Sequence, residues 1–296
     1  MEQPILRWCG GKSRLVNQVL ETFPKEMKNY YEPFVGGGSI LFGLLKGIKS
    51  GKFKVKGEVF ASDSNESLIH TFKNIQSKSI ELYNELLKLT MTHKEKSSTR
   101  VIDDMMNPHS KEGFYYSMRK VFNGYNQIKK NSVKGSALFI FLNITGYGGL
   151  FREGVSGFNV SFGFREKIKN ISKDRFLYYS HLVKDVHFSC CDFDEQLKKV
   201  ERNDFVYLDP PYVPVVKGAF VRYSVNVFSR ATHLRLFDML HVLIKRKSQF
   251  VMSNSVAREV ISKFKNSCVI ERILCKRTIN KLRDFVATEV LVCHKT

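Results

Sequence analysis

Apolar and polar positions follow two different periods along this chain. Residues 28 to 35, KNYYEPFV, form a short run rich in aromatic and β-branched residues that stops at Gly36-Gly37-Gly38 and gives way to the apolar stretch Ile40 to Leu45. Strand, glycine turn and helix in that order open an α/β ligand site. A second short strand, Glu58 to Ser62, halts at Asp63, and a helical pattern follows from Glu66 with Ser64 or Asn65 as its cap. From about residue 71 to 174 the pattern is helical, with segments that include Ile80 to Leu89 and Gly113 to Asn126, and ends in a Gly-rich aromatic stretch from Gly146 to Phe164. The α/β pattern then resumes. Asp204 to Leu208 is an apolar strand stopping at Asp209-Pro210-Pro211-Tyr212, His233 to Lys245 is an amphipathic helix, and Phe250 to Ser253 and Glu289 to Cys293 are further strands. The expected organisation is one α/β domain split between residues 1–70 and 175–296, interrupted by a mainly helical module over 71–174.

Charge adds the expected partner. The 48 Lys and Arg outnumber the 28 Asp and Glu by 20, an excess that folding does not require and that suits a polyanion, nucleic acid before anionic membrane. Basic residues outnumber acidic ones about two to one in the helical module, and Lys245 to Arg283 holds 11 basic residues against 2 acidic. No run approaches the roughly 18 to 20 apolar residues that span a bilayer. Met1-Glu2-Gln3-Pro4 does not read as a signal peptide, so an intracellular, unanchored protein is expected. The six cysteines (Cys9, Cys190, Cys191, Cys268, Cys275, Cys293) contain no CxxC pair. They read as reduced thiols, mostly buried, and no metal site is expected.

Two motifs carry the chemistry. Asp209-Pro210-Pro211-Tyr212 lies at the carboxyl end of a buried strand, where open α/β sheets place their ligands. Two prolines fix φ twice and remove two donors, leaving a rigid ledge of carbonyl oxygens beside one carboxylate and an aromatic face. That ledge suits methylation of an exocyclic amine on a base. Asp209 and the Pro210 carbonyl would accept the amine hydrogens and draw its lone pair out of the ring, while Tyr212 stacked on the extruded base. The second motif is Glu32-Pro33-Phe34-Val35-Gly36-Gly37-Gly38-Ser39. It lacks the third spaced glycine and the downstream lysine of phosphate loops, so a cofactor with an amino-acid tail fits better than a nucleotide phosphate. Asp63, at the end of the next strand, is placed to bind ribose hydroxyls. Arg7-Trp8-Cys9-Gly10-Gly11-Lys12, which contains the only Trp of the chain, reads alone as no more than a loop before a helix.

Together these residues closely resemble the Dam-type (alpha-group) DNA adenine-N6 methyltransferases. The family's aromatic-x-GGK motif looks like Trp8 to Lys12, its EPFxGxGS motif like Glu32 to Ser39, its DxN motif like Asp63-Ser64-Asn65 and its DPPY motif like Asp209 to Tyr212. GYGGLFR at Gly146 to Arg152, FNVSFG at Phe158 to Gly163 and SNS at Ser253 to Ser255 continue the match in the family's order. The resemblance implies a Rossmann-like sheet, S-adenosyl-L-methionine as cofactor, and double-stranded DNA as partner to a monomer or weak dimer. It places Trp8, Lys12, Glu32, Phe34, Gly36, Gly38, Ser39, Asp63 and Asp209 along the cofactor, with Asp192 and Phe193 flanking its adenine ring. It makes the insertion a target-recognition domain with a β-hairpin, Tyr147 to Gly163. Arg152 would contact guanine, although a phosphate contact rivals that reading. Tyr147 would intercalate or support the flipped adenine, Leu150 and Arg7 would touch the first base pair, and Asn159 would hold a phosphate, with Ser161 nearby on the hairpin.

The hairpin departs from the family's pattern. It is one residue shorter between Arg152 and Phe158, and Ser161 stands where Pro is usual. The implied target is therefore GATC-like only by default. Two other readings stay open: methylation of adenine in structured RNA, and a catalytically silent DNA-binding relative.

Overall fold

The computed structural model describes residues 5–8, 10–98, 109–164, 171–215, 228–280 and 283–295. Cys9 and parts of both basic zones lie outside the described residues. The chain forms two compact units. One takes the described residues of Met1–Gly11 and Asn65–Lys184; the other takes those of Lys12–Ser64, Asp185–Arg222 and Asn226–Thr296. The strands among the described residues are β1 (Glu26–Met27), β2 (Tyr30–Glu32), β3 (Lys54–Val55), β4 (Val59–Asp63), β5 (Glu153–Gly154), β6 (Gly157–Phe158), β7 (Val186–Cys190), β8 (Phe205–Leu208), β9 (Gln249–Ser255), β10 (Val269–Asn280) and β11 (Arg283–His294).

The second unit is built on a seven-stranded sheet in the order β10-β11-β9-β8-β2-β4-β7. From β9 across to β7 every neighbouring pair is parallel, and β11 and β10 are added antiparallel. Parallel strands are covered on both faces and so read as unbroken apolar runs. β8 follows that rule, with Phe205, Val206, Tyr207 and Leu208 all buried. Helix Arg230–Lys245 turns Leu236, Phe237, Leu240 and Leu243 into the same core, packed with Leu208, Phe250 and Met252. That one-sided stripe is the 3.6-residue period expected of a helix lying on a sheet. Chain order runs outward from β2 through β4 to β7 on one side and through β8 to β9 on the other, so the direction of winding reverses between β2 and β8. Ligands of open α/β sheets sit at the carboxyl ends of the strands at such a reversal.

The first unit is helical. Gly135 to Thr145 of helix Val133–Thr145 are all buried, and helices Glu66–Ser77, Ser79–Glu95 and Lys111–Gly124 pack against it. A helix apolar on every side has no amphipathic period, which is why sequence patterning did not single it out. Its neighbours are capped as their sequences suggest: Asn65 Oδ1 accepts from the Leu68 amide at 3.0 Å, and Ser110 Oγ from the Gly113 amide at 2.9 Å. The hairpin of this unit is short, with β5 and β6 pairing Glu153 with Phe158 and Gly154 with Gly157.

Three expectations change. The first predicted strand is confined to Tyr30–Glu32, because Pro33 has no amide to donate to a ladder. β7 and β10 are strands that patterning did not find. β7 is short, and β10 alternates half-buried positions with exposed ones along a charged sheet edge. The cysteines are not mostly buried: Cys293 is, but Cys190 is exposed and Cys191, Cys268 and Cys275 are partly so. The four lie on strand ends, a turn and an edge strand, where the sheet does not enclose them.

Candidate active site

The two motifs close the carboxyl ends of adjacent strands, β2 and β8. After β2, Pro33 ends the ladder and the chain turns through Gly36 (φ +47°) and Gly38 (φ +75°), backbone values that side-chain-bearing residues rarely adopt. Gly38 N–H closes the turn on Val35 O at 2.8 Å, and Val35 N–H reaches Ser62 O on β4 at 2.9 Å. Helix Ser39–Lys49 starts directly from Gly38. Asp63, the last residue of β4, accepts the Gly36 amide at 3.1 Å, so the glycine turn is held by the carboxylate expected to meet a ribose. Glu32 is 2% exposed and accepts a 2.6 Å hydrogen bond from the Tyr30 hydroxyl. Burial pushes its pKa up to about 8, with nearby Asp209 adding to the shift. At neutral pH Glu32 is therefore largely protonated.

After β8, Asp209 meets Lys12, whose Nζ lies 2.7 and 2.8 Å from the two carboxylate oxygens. Lys12 is itself 4% exposed. Burial raises the pKa of Asp209 and the ammonium opposes the rise, which is how an acid in an enclosed site is kept available as an acceptor. The same Nζ lies 4.9 Å from the centre of the Tyr212 ring. The Tyr212 hydroxyl donates to Glu289 Oε2 at 2.7 Å. Beyond it the chain is pinned to β9: Val213 N–H donates to Asn254 Oδ1 at 3.1 Å, and Ser255 Oγ donates to Val213 O at 2.5 Å. Ser253 completes the row with a 2.8 Å hydrogen bond to the Tyr207 hydroxyl. The Ser-Asn-Ser triplet thus holds the Asp-Pro-Pro-Tyr turn.

On β7's side of the sheet, Asp192 caps helix Phe193–Leu197 and pairs with Arg235 at 2.9 Å. Phe193 is 4% exposed, packed against Phe34 at 5.5 Å with the Arg235 guanidinium over its ring at 4.6 Å. Sequence reasoning missed Arg235, an ordinary helix-surface arginine. It also missed Glu289, whose one signal is an acidic residue opening the apolar run of β11.

The remaining predicted residues belong to the helical unit. Trp8, expected at the cofactor, stacks on Phe151 at 5.9 Å and touches Phe139 at 6.4 Å. Arg7 is held through its backbone: Asn143 Oδ1 accepts its amide at 2.8 Å, and Asn143 Nδ2 donates to its carbonyl at 2.7 Å and to Gly149 O at 3.2 Å. Asn143, a lone amide in an apolar helix and 2% exposed, is another residue that patterning missed. A side chain at Gly149 would come within 2.5 Å of Arg7 Cβ, so this glycine is needed for the close approach. Tyr147 is 58% exposed, Leu150 is half-buried, and Ser161 is exposed while its carbonyl accepts the Tyr147 amide at 2.9 Å. Arg152 Nε donates to Asn159 Oδ1 at 2.6 Å within the hairpin, so the two residues expected to touch DNA separately are joined to each other.

Among the described residues no group of three or more His, Cys, Asp and Glu side chains is arranged to hold a metal ion. None of their helices is long and apolar enough to cross a membrane. Comparison with known proteins gives a consistent picture. The family model of the D12 class N6 adenine-specific DNA methyltransferases matches residues 8–281. The Type II methyltransferase M.MjaIII of Methanocaldococcus jannaschii is 35% identical over 279 residues, 92% of this chain and 91% of that protein. The DNA adenine methylase of Haemophilus influenzae is 27% identical over 92% of this chain and 85% of its own length, and that of Escherichia coli 26% over 84% and 79%.

Proposed function

The chain belongs to the D12 class of N6 adenine-specific DNA methyltransferases, and on that premise we propose that it methylates adenine N6 in double-stranded DNA at the ledge following β8. The observation that carries the reading is the convergence of the glycine turn and the Asp-Pro-Pro-Tyr turn at the winding reversal between β2 and β8, with Lys12 holding Asp209.

The residues fit S-adenosyl-L-methionine as cofactor. A nucleoside with an amino-acid tail needs acceptors for its ribose hydroxyls and close approach of backbone. Asp63 offers the first, and the turn Gly36–Gly38, running into Ser39 at the start of a helix, offers the second. Lys12, Glu32, Phe34, Asp192 and Phe193 complete the set on the same unit. When bound, the cofactor supplies a methyl group on sulfonium sulfur, open to direct in-line attack by an amine.

The protein's own part is orientation and polarisation. One oxygen of Asp209 and the carbonyl of Pro210 accept the two hydrogens of the target amine, which turns its lone pair toward the methyl carbon. Lys12 keeps Asp209 from being neutralised by burial. Pro210 and Pro211 hold the ledge, and Tyr212 stacks on the flipped adenine. Residues 71–174 form the part that reads the target. Arg152 is its candidate reader of guanine, braced by Asn159, and Arg7, Tyr147, Leu150 and Ser161 lie on the same unit. A GATC-like target rests on the motif resemblance of the hairpin.

Asp209→Ala tests the reading. It should abolish transfer of labelled methyl groups to duplex DNA while leaving DNA binding within about threefold of wild type, because the change removes an acceptor used on the amine and not on the backbone. Mapping N6-methyladenine on random-sequence duplex gives the target in the same assay. Wild-type turnover by the variant, or methylation of total RNA in preference to duplex DNA, would overturn it.

A further inference from the structure

Tyr212, half-buried, has little local backbone structure to hold it as a stacking platform. Residues 209–214 lie in neither helix nor strand, and the two prolines before it contribute no amide donors. The pins on Val213 from Asn254 and Ser255 fix the main chain after the tyrosine, yet they leave its two side-chain torsions open. The ring is anchored at its tip by the 2.7 Å hydrogen bond that its hydroxyl donates to Glu289 Oε2, with Asp209 as a second acid on the same phenol.

Glu289 is costly where it stands. It is 3% exposed, followed by Val290, Leu291 and Val292 at 0 to 1%, and it lies opposite Ser255 in the β9–β11 ladder. An acid at such a position weakens a sheet unless it has partners. It also stands near Asp209, since each of the two acids acts on the same phenol: burial first, then Asp209 and Glu289, push the Tyr212 hydroxyl far above its ordinary range. The phenol therefore stays a donor at every working pH. Lys12, on Asp209, and Glu289, on the phenol oxygen, thus act on the tyrosine from different points: one over the ring and one at its tip.

We propose that Glu289 is a positioning residue for the target base, fixing the plane of the Tyr212 ring so that the ring and the Asp209 acceptor present one preset slot to the adenine. This deepens the proposed function and rests on its assignment of Tyr212 as the stacking platform. The lock lowers the cost of ordering the ring when the base arrives, a gain in preorganisation and not a new contact to substrate.

The test uses the full-length protein and two duplexes: one carrying the target mapped for the wild type, for turnover, and one with 2-aminopurine in place of the target adenine, which has no N6 amine and reports base flipping alone by fluorescence. Glu289→Ala and Tyr212→Phe should each lower kcat by about 10- to 100-fold, the range for truncating one partner of a buried hydrogen bond. The KM for the cofactor should stay within about threefold, and the flipped-base signal should fall. The double variant should be no worse than Tyr212→Phe alone, because losing the hydroxyl already removes the bond to Glu289. Glu289→Gln, which keeps an acceptor oxygen, should recover most of the loss. A Glu289→Ala enzyme with wild-type kcat and flipping overturns the inference, as do single losses that multiply in the double variant. Where Glu289→Ala gives no cooperative melt, Tyr212→Phe decides: wild-type turnover there overturns the lock. Tyr212→Ala separates the two levels of the argument. If it methylates normally the stacking assignment itself falls, whereas an inactive Tyr212→Ala beside an unaffected Glu289→Ala removes only the lock.

Discussion

Glu32 is buried and Asp209 half-buried in the same unit; burial raises the pKa of each, and Asp209 has an ammonium to oppose the rise where Glu32 has a phenol. Asp209 has an ammonium on both oxygens; Glu32 has a phenol on one. With its pKa raised from an ordinary carboxylate value to about 8, Glu32 favours folding most in its protonated form. Its contribution to stability is complete at acid pH, below the pKa it has in the unfolded chain. It is then lost progressively as pH rises to about 8. Glu32→Gln should therefore flatten the fall in denaturation midpoint between about pH 5 and pH 8. An unchanged slope in that window would show that the carboxyl is ionised in the folded protein. Lys12, Asp63 and Asp209 were legible in the sequence because each sits in a short motif whose residue types are chemically unusual together. Glu289 and Asn143 were not. Each is one polar residue in an apolar element, and only the fold shows that their partners are Tyr212 and the Arg7 backbone.

At the scale of elements, helix Ser79–Glu95 carries a built-in weakness. His93 is 1% exposed, surrounded by Phe114, Phe141 and Phe162, and neither ring nitrogen has a hydrogen-bond partner. Burial, helped by Lys111, lowers its pKa from 6.5 to about 4. The sign is opposite to that of Glu32. A depressed histidine contributes stability that is present above its unfolded value and lost as pH falls through the folded one, here between about 6.5 and 4. His93→Phe should make the helical unit less sensitive to acid in that window, read by hydrogen exchange of the amides in helix Val133–Thr145. Exchange that accelerates equally in both proteins on acidification would refute this. Elements with a clear period were legible: helix Arg230–Lys245 shows its stripe, and β8 its unbroken apolar run. Helix Val133–Thr145 has no polar face to set a period, and β10 carries too many charges to read as a strand, so tertiary packing alone defines them.

For the whole molecule the dominant number is the excess of 20 positive charges. Phosphates neutralised by lysine and arginine release condensed counterions, so the affinity for duplex should fall steeply with salt. Neutralising about six phosphates corresponds to a slope near −5 in log affinity against log salt concentration. A slope shallower than about −2, from titrations over a range of sodium chloride concentrations, would show that the charge serves another purpose.

The helical unit's longest segment, Asn65–Lys184, is inserted between β4 and β7, which are parallel neighbours in the sheet. An ordinary right-handed crossover needs only a dozen or so residues to join two such strands. The sheet thus sees the whole insertion as one long loop, and each doubling of a flexible loop's length adds only about 0.6 kcal/mol to the entropy of closing it. The strands that carry Asp63 and Asp209 are nearly indifferent, in polymer terms, to what is threaded between them. A lineage could lengthen, shorten or replace the insertion without disturbing the register of β4 on β7, leaving the chemistry in place while the sequence it is applied to drifts.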